Sequence, residues 1–234
     1  MVSSSQALKT LHELHQRLQE VQEDLARGPR QIQAKKKSIE KRKTDLEHRR
    51  QKLKQLKLTA DQKNLQLKTN ENKIADLRAK LNLAASNREY EIITGQIDAD
   101  TMANSVLEDE ILEALTMIDQ AQAEVKQAEQ DVATAEAELK KLTADVQAVE
   151  PGLTDRARQL AAEVADAEKV LPDDIVPQYR RAVQAYGADA LAAVEDRNCT
   201  SCHMQLTMQK MVELGAGKLM FCTCGRLLYL PDKA

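Results

Sequence analysis

Four cysteines near the C-terminus carry the clearest chemistry in this 234-residue sequence. Cys199 and Cys202 form one pair with two residues between them, and Cys222 and Cys224 form a second pair with one residue between them. Two close pairs of thiolates can supply the four soft ligands that zinc takes in a tetrahedral structural site. In a reducing compartment such a cluster indicates metal ligation before disulfides. We therefore predict that these four residues bind one zinc ion.

The second cysteine pair is irregular, because a zinc ribbon usually places two residues between paired ligands. His203, adjacent to Cys202, is an alternative ligand if Cys222 or Cys224 points away. The alternative for the whole cluster is a set of buried or redox-active thiols, but the strand-helix-strand pattern of thioredoxin-like proteins is missing around Cys199. A closed site of four thiolates leaves no position for water or substrate. We therefore expect a structural metal and no enzyme activity.

The elements that must position this module are two long helices. Apolar residues recur every seven positions in two series, which is the repeat of a coiled-coil seam. The fold class that this predicts is all-α, a long kinked antiparallel coiled-coil hairpin with a small C-terminal zinc ribbon containing short β-strands. The first series is Ile32, Ile39, Leu46, Leu53, Ala60, Leu67, Ile74 and Leu81, and the second is Ile111, Ile118, Val125, Val132, Leu139, Val146 and Leu153.

Matched breaks and opposite charges indicate that the two arms pair antiparallel within one chain. Gly28-Pro29 interrupts the first arm and Pro151-Gly152 the second. A fold about residue 90 sets these breaks side by side, and the Gly and Pro residues are expected to kink each helix without ending it. Residues 30–57 hold twelve basic side chains against three acids, and residues 108–150 hold twelve acids against three bases. The same fold places Lys35, Arg42 and Arg49 opposite Asp145, Glu138 and Asp131.

Domain boundaries follow from these patterns. Residues 1–171 are predicted to form the hairpin, with its tip near 84–95, where Ser86-Asn87-Arg88-Glu89 is typical of a capping box. Residues 172–234 are predicted to form a short helix, introduced and capped by Pro172-Asp173-Asp174, followed by the four-cysteine ribbon. A short strand is expected within 188–196.

Composition excludes several classes of protein. Aromatic residues make up 2% of the chain and Trp is absent, so a conventional globular core is not expected along most of it. The net charge of -3 gives no overall attraction to nucleic acid or to an anionic membrane. No run of 18 apolar residues occurs, and the N-terminus lacks the apolar core of a signal peptide. We expect a cytoplasmic protein with no membrane contact and no small-molecule substrate.

Six residues are candidates for contacts with a partner. The basic stretch most simply pairs with the acidic second arm, but its outward side could attract RNA or an acidic protein. Tyr90 is a rare aromatic at the tip, where it either packs to close the hairpin or contacts a partner. Arg226 follows the last cysteine turn and either presents its guanidinium or braces the preceding helix. The outward basic residues are Lys37, Lys41, Arg50 and Lys54.

Several motifs together resemble a bacterial family of coiled-coil proteins with a C-terminal four-cysteine zinc ribbon. They extend over nearly the whole chain, and the ending is the most specific part. They are Asn87-Arg88-Glu89-Tyr90, Leu107-Glu108-Asp109-Glu110-Ile111-Leu112, Tyr179-Arg180-Arg181, Cys199-Thr-Ser-Cys202-His203-Met204 and Cys224-Gly225-Arg226-Leu227-Leu228-Tyr229.

The resemblance implies a kinked helical hairpin with the ribbon docked beside its open end. It also implies a nucleic-acid-binding or regulatory role, and some family members are linked to flagellar or type III secretion assembly and to an alternative sigma factor. The sequence departs from the family at Phe221, where a cysteine is expected. Our leading hypothesis is a non-enzymatic adaptor or regulator that binds partner proteins. The alternative is a nucleic-acid-binding protein that uses the ribbon and the basic helix face.

Overall fold

The computed structural model describes residues 4–231 of the chain. Two long helices, α1 (Ser4–Leu81) and α2 (Asn87–Glu168), precede a small module of short elements. This module follows the order α3, a 3-10 turn, β1, β2, α4, β3 and β4. The bounds are α3 Val176–Tyr186, the 3-10 turn Gly187–Ala190, β1 Leu191–Glu195, β2 Asn198–Cys199, α4 Met208–Gly215, β3 Met220–Phe221 and β4 Leu227–Tyr229.

The chain divides into two compact units, and each long helix contributes to both. One unit comprises Met1–Gln33 and Lys141–Ala234, and the other comprises Ala34–Lys140. Both helices continue through their internal prolines, Pro29 and Pro151, as predicted. The two breaks are not side by side as predicted, because Gly28 packs against Val146 and nothing lies close to Gly152. No helix in the described range 4–231 is both long and apolar enough to cross a membrane.

In the unit Ala34–Lys140, the predicted seven-residue repeats form the core between two antiparallel helices. Leu46 packs with Val125 and Val132 in one cluster, and Ala60 packs with Ala114 and Ile118 in the next. Alanines at the second seam position of α2, among them Ala121 and Ala135, are buried as well. The coiled-coil prediction is therefore confirmed by the packing of this unit.

The ion pairs across this seam show that the register of the two helices differs by one heptad from the predicted one. Lys35 pairs with Glu138 instead of Asp145, and Arg49 pairs with Glu124 at 3.4 Å instead of Asp131. The hydrogen bond from Lys35 lowers the pKa of Glu138. A slip of seven residues brings apolar positions back onto apolar positions, so the seam by itself does not select one register.

Carbodiimide crosslinking tests this register with the natural residues. This zero-length reagent joins an amine to a carboxylate only when the two are in contact. We expect Lys35–Glu138 and Lys63–Glu110 to be among the main products found by mass spectrometry. The Lys63 nitrogen lies 3.0 Å from the Glu110 carboxylate. A mixture of isotopically light and heavy chains should give no mixed products. A dominant Lys35–Asp145 link, or light–heavy links, would contradict the register or the intramolecular hairpin.

The turn between the helices is short and capped. Helix α1 ends at Leu81, and α2 begins at Asn87. The Glu89 N–H donates to the Ser86 hydroxyl at 3.2 Å, and the Glu89 carboxylate accepts from the Ala85 N–H at 3.2 Å. The Ser86 hydroxyl therefore caps the start of α2 as predicted, whereas the Glu89 carboxylate reaches back to the residue before the cap instead of to Ser86 itself.

A polar side chain lies within the seam of α2, one heptad before the predicted series that begins at Ile111. Asn104 is 8% exposed and occupies the heptad position shared by Ile97 and Ile111. Its Oδ1 atom has no hydrogen-bond partner among residues 4–231. A buried polar atom without a partner costs free energy, although such an Asn can help to specify the pairing of two helices.

Replacing this asparagine should stabilise the unit. We expect Asn104→Ile to raise the free energy of unfolding by about 1–3 kcal/mol, the cost of burying an unpaired polar group. The exposed Asn64 is the matched control, and Asn64→Ile should change stability by less than about 0.5 kcal/mol. Denaturant unfolding followed by circular dichroism measures both. Equal effects of the two substitutions would show that Asn104 carries no burial cost.

In the other unit, the ends of the long helices, α3 and the sheet share one core. Leu11, Leu160, Tyr179 and Leu227 are among its fully buried members. The hydroxyl of Tyr179 donates to Glu168 at 3.0 Å and shares a second hydrogen bond with the buried His15. Burial lowers the pKa of His15, so its imidazole is neutral at pH 7.

The sheet is attached to α1 by further polar contacts. His12 Nδ1 and the Tyr229 hydroxyl share a hydrogen bond of 2.9 Å, and the Ala188 N–H donates to Gln19 at 3.0 Å. The predicted strand within 188–196 is present as β1. The predicted acidic cap of α3 is wrong, since its N-cap residue is Ile175, which makes no side-chain cap, and Pro177 instead presets the first turn.

Candidate metal centre

The cysteines lie on the connections of a four-stranded sheet. Its strand order is β2-β1-β4-β3, with β1 parallel to β4 and both outer pairs antiparallel. Cys199 ends β2, and Cys222 directly follows β3. Since β2 and β3 are the two edge strands, the sheet holds the two cysteine turns while its buried residues, such as Leu227 and Leu228, form the core behind them.

The first cysteine turn is held by backbone hydrogen bonds. The Cys199 N–H donates to Met204 at 3.1 Å, and the His203 N–H donates to Cys199 at 2.8 Å. The backbone N–H of Met204 is bonded to the Cys202 thiol. His203 has a left-handed φ of 59° and is exposed, and it does not belong to the group of clustered ligand atoms. Its role in this turn is conformational.

The backbone around Cys224 has the same conformation as the backbone around Cys202, although the second pair of cysteines is one residue closer in sequence. The backbone N–H of Arg226 is bonded to the Cys224 thiol, as the N–H of Met204 is to Cys202. Gly225 follows Cys224 with φ of 88°, the conformation that His203 adopts after Cys202. The irregularity is thus confined to the first ligand of the pair, because Phe221 occupies the usual ligand position and Cys222 lies one residue later.

All four sulfur atoms converge despite that irregularity. They lie within 4.8 Å of one another, and the Sγ atoms of Cys202 and Cys222 are 3.5 Å apart. Bonds of about 2.3 Å in a tetrahedron would place sulfurs about 3.8 Å apart around zinc. None of the four is in a disulfide. The cluster is therefore close enough to hold a metal ion, and its four soft donors fit zinc.

The acid–base properties of the thiols also favour a bound cation. Although the Met204 N–H favours the Cys202 thiolate, burial and the neighbouring thiols raise the pKa of Cys202 to about 12. Burial opposes ionisation of Cys224 as well, but the N–H and guanidinium of Arg226 lower the pKa of Cys224 to about 7. Four thiolates this close repel one another, so only a cation would let all of them ionise at pH 7.

Arg226 braces the preceding helix, which is one of the two roles predicted for it. Its guanidinium lies 4.3 Å from the centre of the Tyr186 ring, and its Nε donates to the Asp189 carbonyl at 2.9 Å. The Tyr186 hydroxyl donates to the Cys224 carbonyl at 3.3 Å. Sequence analysis missed Tyr186 as a partner of the cysteine turn, and the signal available was an aromatic residue just before Gly187 in an aromatic-poor chain.

The other predicted contact residues lie far along the chain from this centre, in the unit Ala34–Lys140. Lys37, Lys41 and Lys54 are exposed, as predicted. Arg50 is exposed as well, but its guanidinium pairs with Glu129 of α2 at 2.7 Å. Tyr90 is 53% exposed, so it does not close the hairpin by packing. Whether these residues contact a partner stays a prediction.

Together these features define the class of protein: two long packed helices followed by a small sheet that carries a four-cysteine cluster. CT398 from Chlamydia trachomatis has a similar solved structure, with a TM-score of 0.76 and 15% identity over 97% of this chain and 98% of that chain. The HP0958 protein from Helicobacter pylori has a TM-score of 0.70 and 16% identity over 100% of both chains.

A protein from Mycobacterium smegmatis has a TM-score of 0.50 and 19% identity over 97% of this chain and 98% of that chain. Identities this low show a shared fold and nothing about partners. No protein-family model and no curated protein matches the chain.

Proposed function

We propose that this chain is a non-enzymatic, cytoplasmic adaptor or regulator that binds partner proteins through its helical hairpin. The observation that carries the proposal is the distribution of exposed apolar side chains in the unit Ala34–Lys140. All ten large hydrophobic residues that are exposed in this fully described unit lie between residues 58 and 117. They are Leu58, Leu65, Leu83, Tyr90, Ile92, Met102, Val106, Leu112, Leu115 and Met117.

The remainder of the same unit has the opposite character. Residues 34–57 and 118–140 have no exposed large hydrophobic residue, and they carry ion pairs such as Lys43–Glu136 and Arg50–Glu129, at 2.8 and 2.7 Å. Exposed apolar side chains concentrated in one part of a helical surface are typical of protein-binding sites. Leucine and methionine side chains suit partners that present an apolar helix face.

In this proposal the cysteine cluster binds zinc as a structural ion. Four thiolates fill the tetrahedral positions, so that the metal stabilises the small sheet and takes no part in a reaction. The C-terminal module then presents a second contact surface, which includes the exposed Met204 and, on α4, Met208 and Val212.

The alternative function is nucleic-acid binding through the basic part of α1. Lys37, Lys41 and Lys54 favour it, because they are exposed and make no ion pair with any residue in the range 4–231. Aromatic side chains for base stacking do not accompany them, so such binding would depend on phosphate charge and would weaken steeply as salt rises.

Affinity purification with and without nuclease separates the two functions. We expect partner proteins to be retained after nuclease treatment, and the double substitution Leu112→Asp with Leu115→Asp to lower their recovery at least about tenfold. Replacing Lys37, Lys41 and Lys54 by Gln is the matched control and should leave recovery unchanged. Loss of every partner on nuclease treatment, together with loss in the lysine variant, would favour nucleic-acid binding instead.

A further inference from the structure

An apolar groove lies beside Gly28, where α1 and α2 meet in the unit formed by Met1–Gln33 and Lys141–Ala234. Its volume is about 370 Å³, within the range of clefts that bind ligands. Leu25, Val146, Val149 and Leu153 supply its apolar lining. Val149 is 57% exposed, so part of this lining faces water.

Gly28 and Pro29 give the α1 side of the groove its local structure. Gly28 has no side chain, and a Cβ atom placed there would lie 2.7 Å from Val146 Cγ1, so the two helices make their contact through the glycine itself. Pro29 has no N–H, and the Leu25 carbonyl therefore does not receive the helical hydrogen bond that residue 29 would otherwise donate. The groove thus lies where the backbone hydrogen-bond series of α1 is interrupted by Pro29.

The charges around the groove are mainly acidic. Asp24 pairs with Arg27 at 3.1 Å, which neutralises one carboxylate. Asp145 and Glu150 also line the groove, and neither forms an ion pair with a residue in the described part of the chain. Asp145 has no ion pair because the observed register differs by one heptad from the predicted one. Lys35, the partner expected for Asp145, pairs with Glu138 instead.

We infer that this groove binds an amphipathic helix of a partner protein, whose apolar residues insert between α1 and α2 while its Lys or Arg residues face Asp145 and Glu150. The inference rests on the proposed adaptor function and names the chemistry of the partner. A third helix is the element that best covers an apolar surface shared by two helices, because its side chains pack into the grooves between theirs. Unpaired carboxylates at the rim select basic flanking residues and repel the phosphates of nucleic acid.

A synthetic helix-forming peptide made of Leu and Lys is the probe, with binding measured by fluorescence anisotropy on the full-length, metal-loaded protein. We expect Val149→Asp to weaken binding by at least about tenfold. The added negative charge would strengthen a purely electrostatic association with lysines, so weaker binding reports loss of the apolar contact. Val170 is the matched control because it is 58% exposed and does not line the groove, and Val170→Asp should bind the peptide like the unaltered chain.

Charge is tested by a second pair of measurements. Replacing both Asp145 and Glu150 by Lys should weaken binding of the Leu–Lys peptide by a similar factor, and a Leu–Glu peptide should not bind the unaltered chain. Unchanged affinity of Val149→Asp, or equal losses in Val149→Asp and Val170→Asp, would overturn the inference. Unchanged peptide affinity of Val149→Asp would overturn the groove while leaving the adaptor function intact, whereas a chain that retains no protein after nuclease treatment would refute the adaptor function itself.

Discussion

Removing the proposed zinc ion is expected to unfold the sheet while most of the helical signal remains. Apparent binding free energies of about 10–16 kcal/mol in small zinc modules would make the metal the largest single contribution to a sheet whose strands are two to five residues long. The core clusters of the unit Ala34–Lys140 contain no residue of the sheet, so that unit should keep its helices. Chelation followed by far-ultraviolet circular dichroism and amide hydrogen exchange distinguishes the two regions.

Substitution of a single ligand should reproduce the effect of the chelator. We expect Cys199→Ser to abolish protection of the sheet amides from exchange, because Cys199 is fully buried and ends an edge strand. Cys222→Ser should do the same, since His203 is not near enough to replace it as a ligand. Ser201 is the matched control, being exposed within the same turn, and Ser201→Ala should exchange like the unaltered chain. Protected sheet amides in Cys199→Ser would show that the module folds without its metal.

Two helical glycines should respond with opposite signs to the same substitution. A Cβ at Gly28 would lie 2.7 Å from Val146, so Gly28→Ala forces the helices apart and should cost about 1–3 kcal/mol of stability. Nothing lies within 4 Å of the corresponding position at Gly152, so Gly152→Ala should stabilise α2 by about 0.5–1 kcal/mol. Thermal or denaturant unfolding measures both changes. Stabilisation by both substitutions would contradict the close contact at Gly28.

The sequence predicts the helices well because their pattern is local and repeated. The buried residues Ile39, Leu46 and Ile118 stand where the seven-residue period places them, and the Ser86 hydroxyl caps the start of α2 as expected. The sequence predicts a register one heptad away from the observed one, because a slip of seven residues again brings apolar positions opposite apolar positions. The length of the turn between the helices decides which of these registers forms. The pairing of Arg50 with Glu129 follows from the register and not from the local pattern.

The candidate site was predicted as a set of residues and not as a geometry. Spacing along the chain identified Cys199, Cys202, Cys222 and Cys224, whose sulfurs converge. The spacing does not predict that the second cysteine of each pair accepts a hydrogen bond from the backbone N–H two residues later, that of Met204 for Cys202 and that of Arg226 for Cys224. The groove at Gly28 was also missed, since it arises from contacts between residues that are distant in sequence.

Zinc content measured together with thiol reactivity tests most directly the claim that the C-terminal module is built around one metal ion. The protein should be purified without chelator, analysed for metals and then titrated with a thiol reagent. We predict about one equivalent of zinc per chain, with all four cysteines protected until a chelator is added. Less than about half an equivalent of zinc, with four thiols that react freely, would contradict the account.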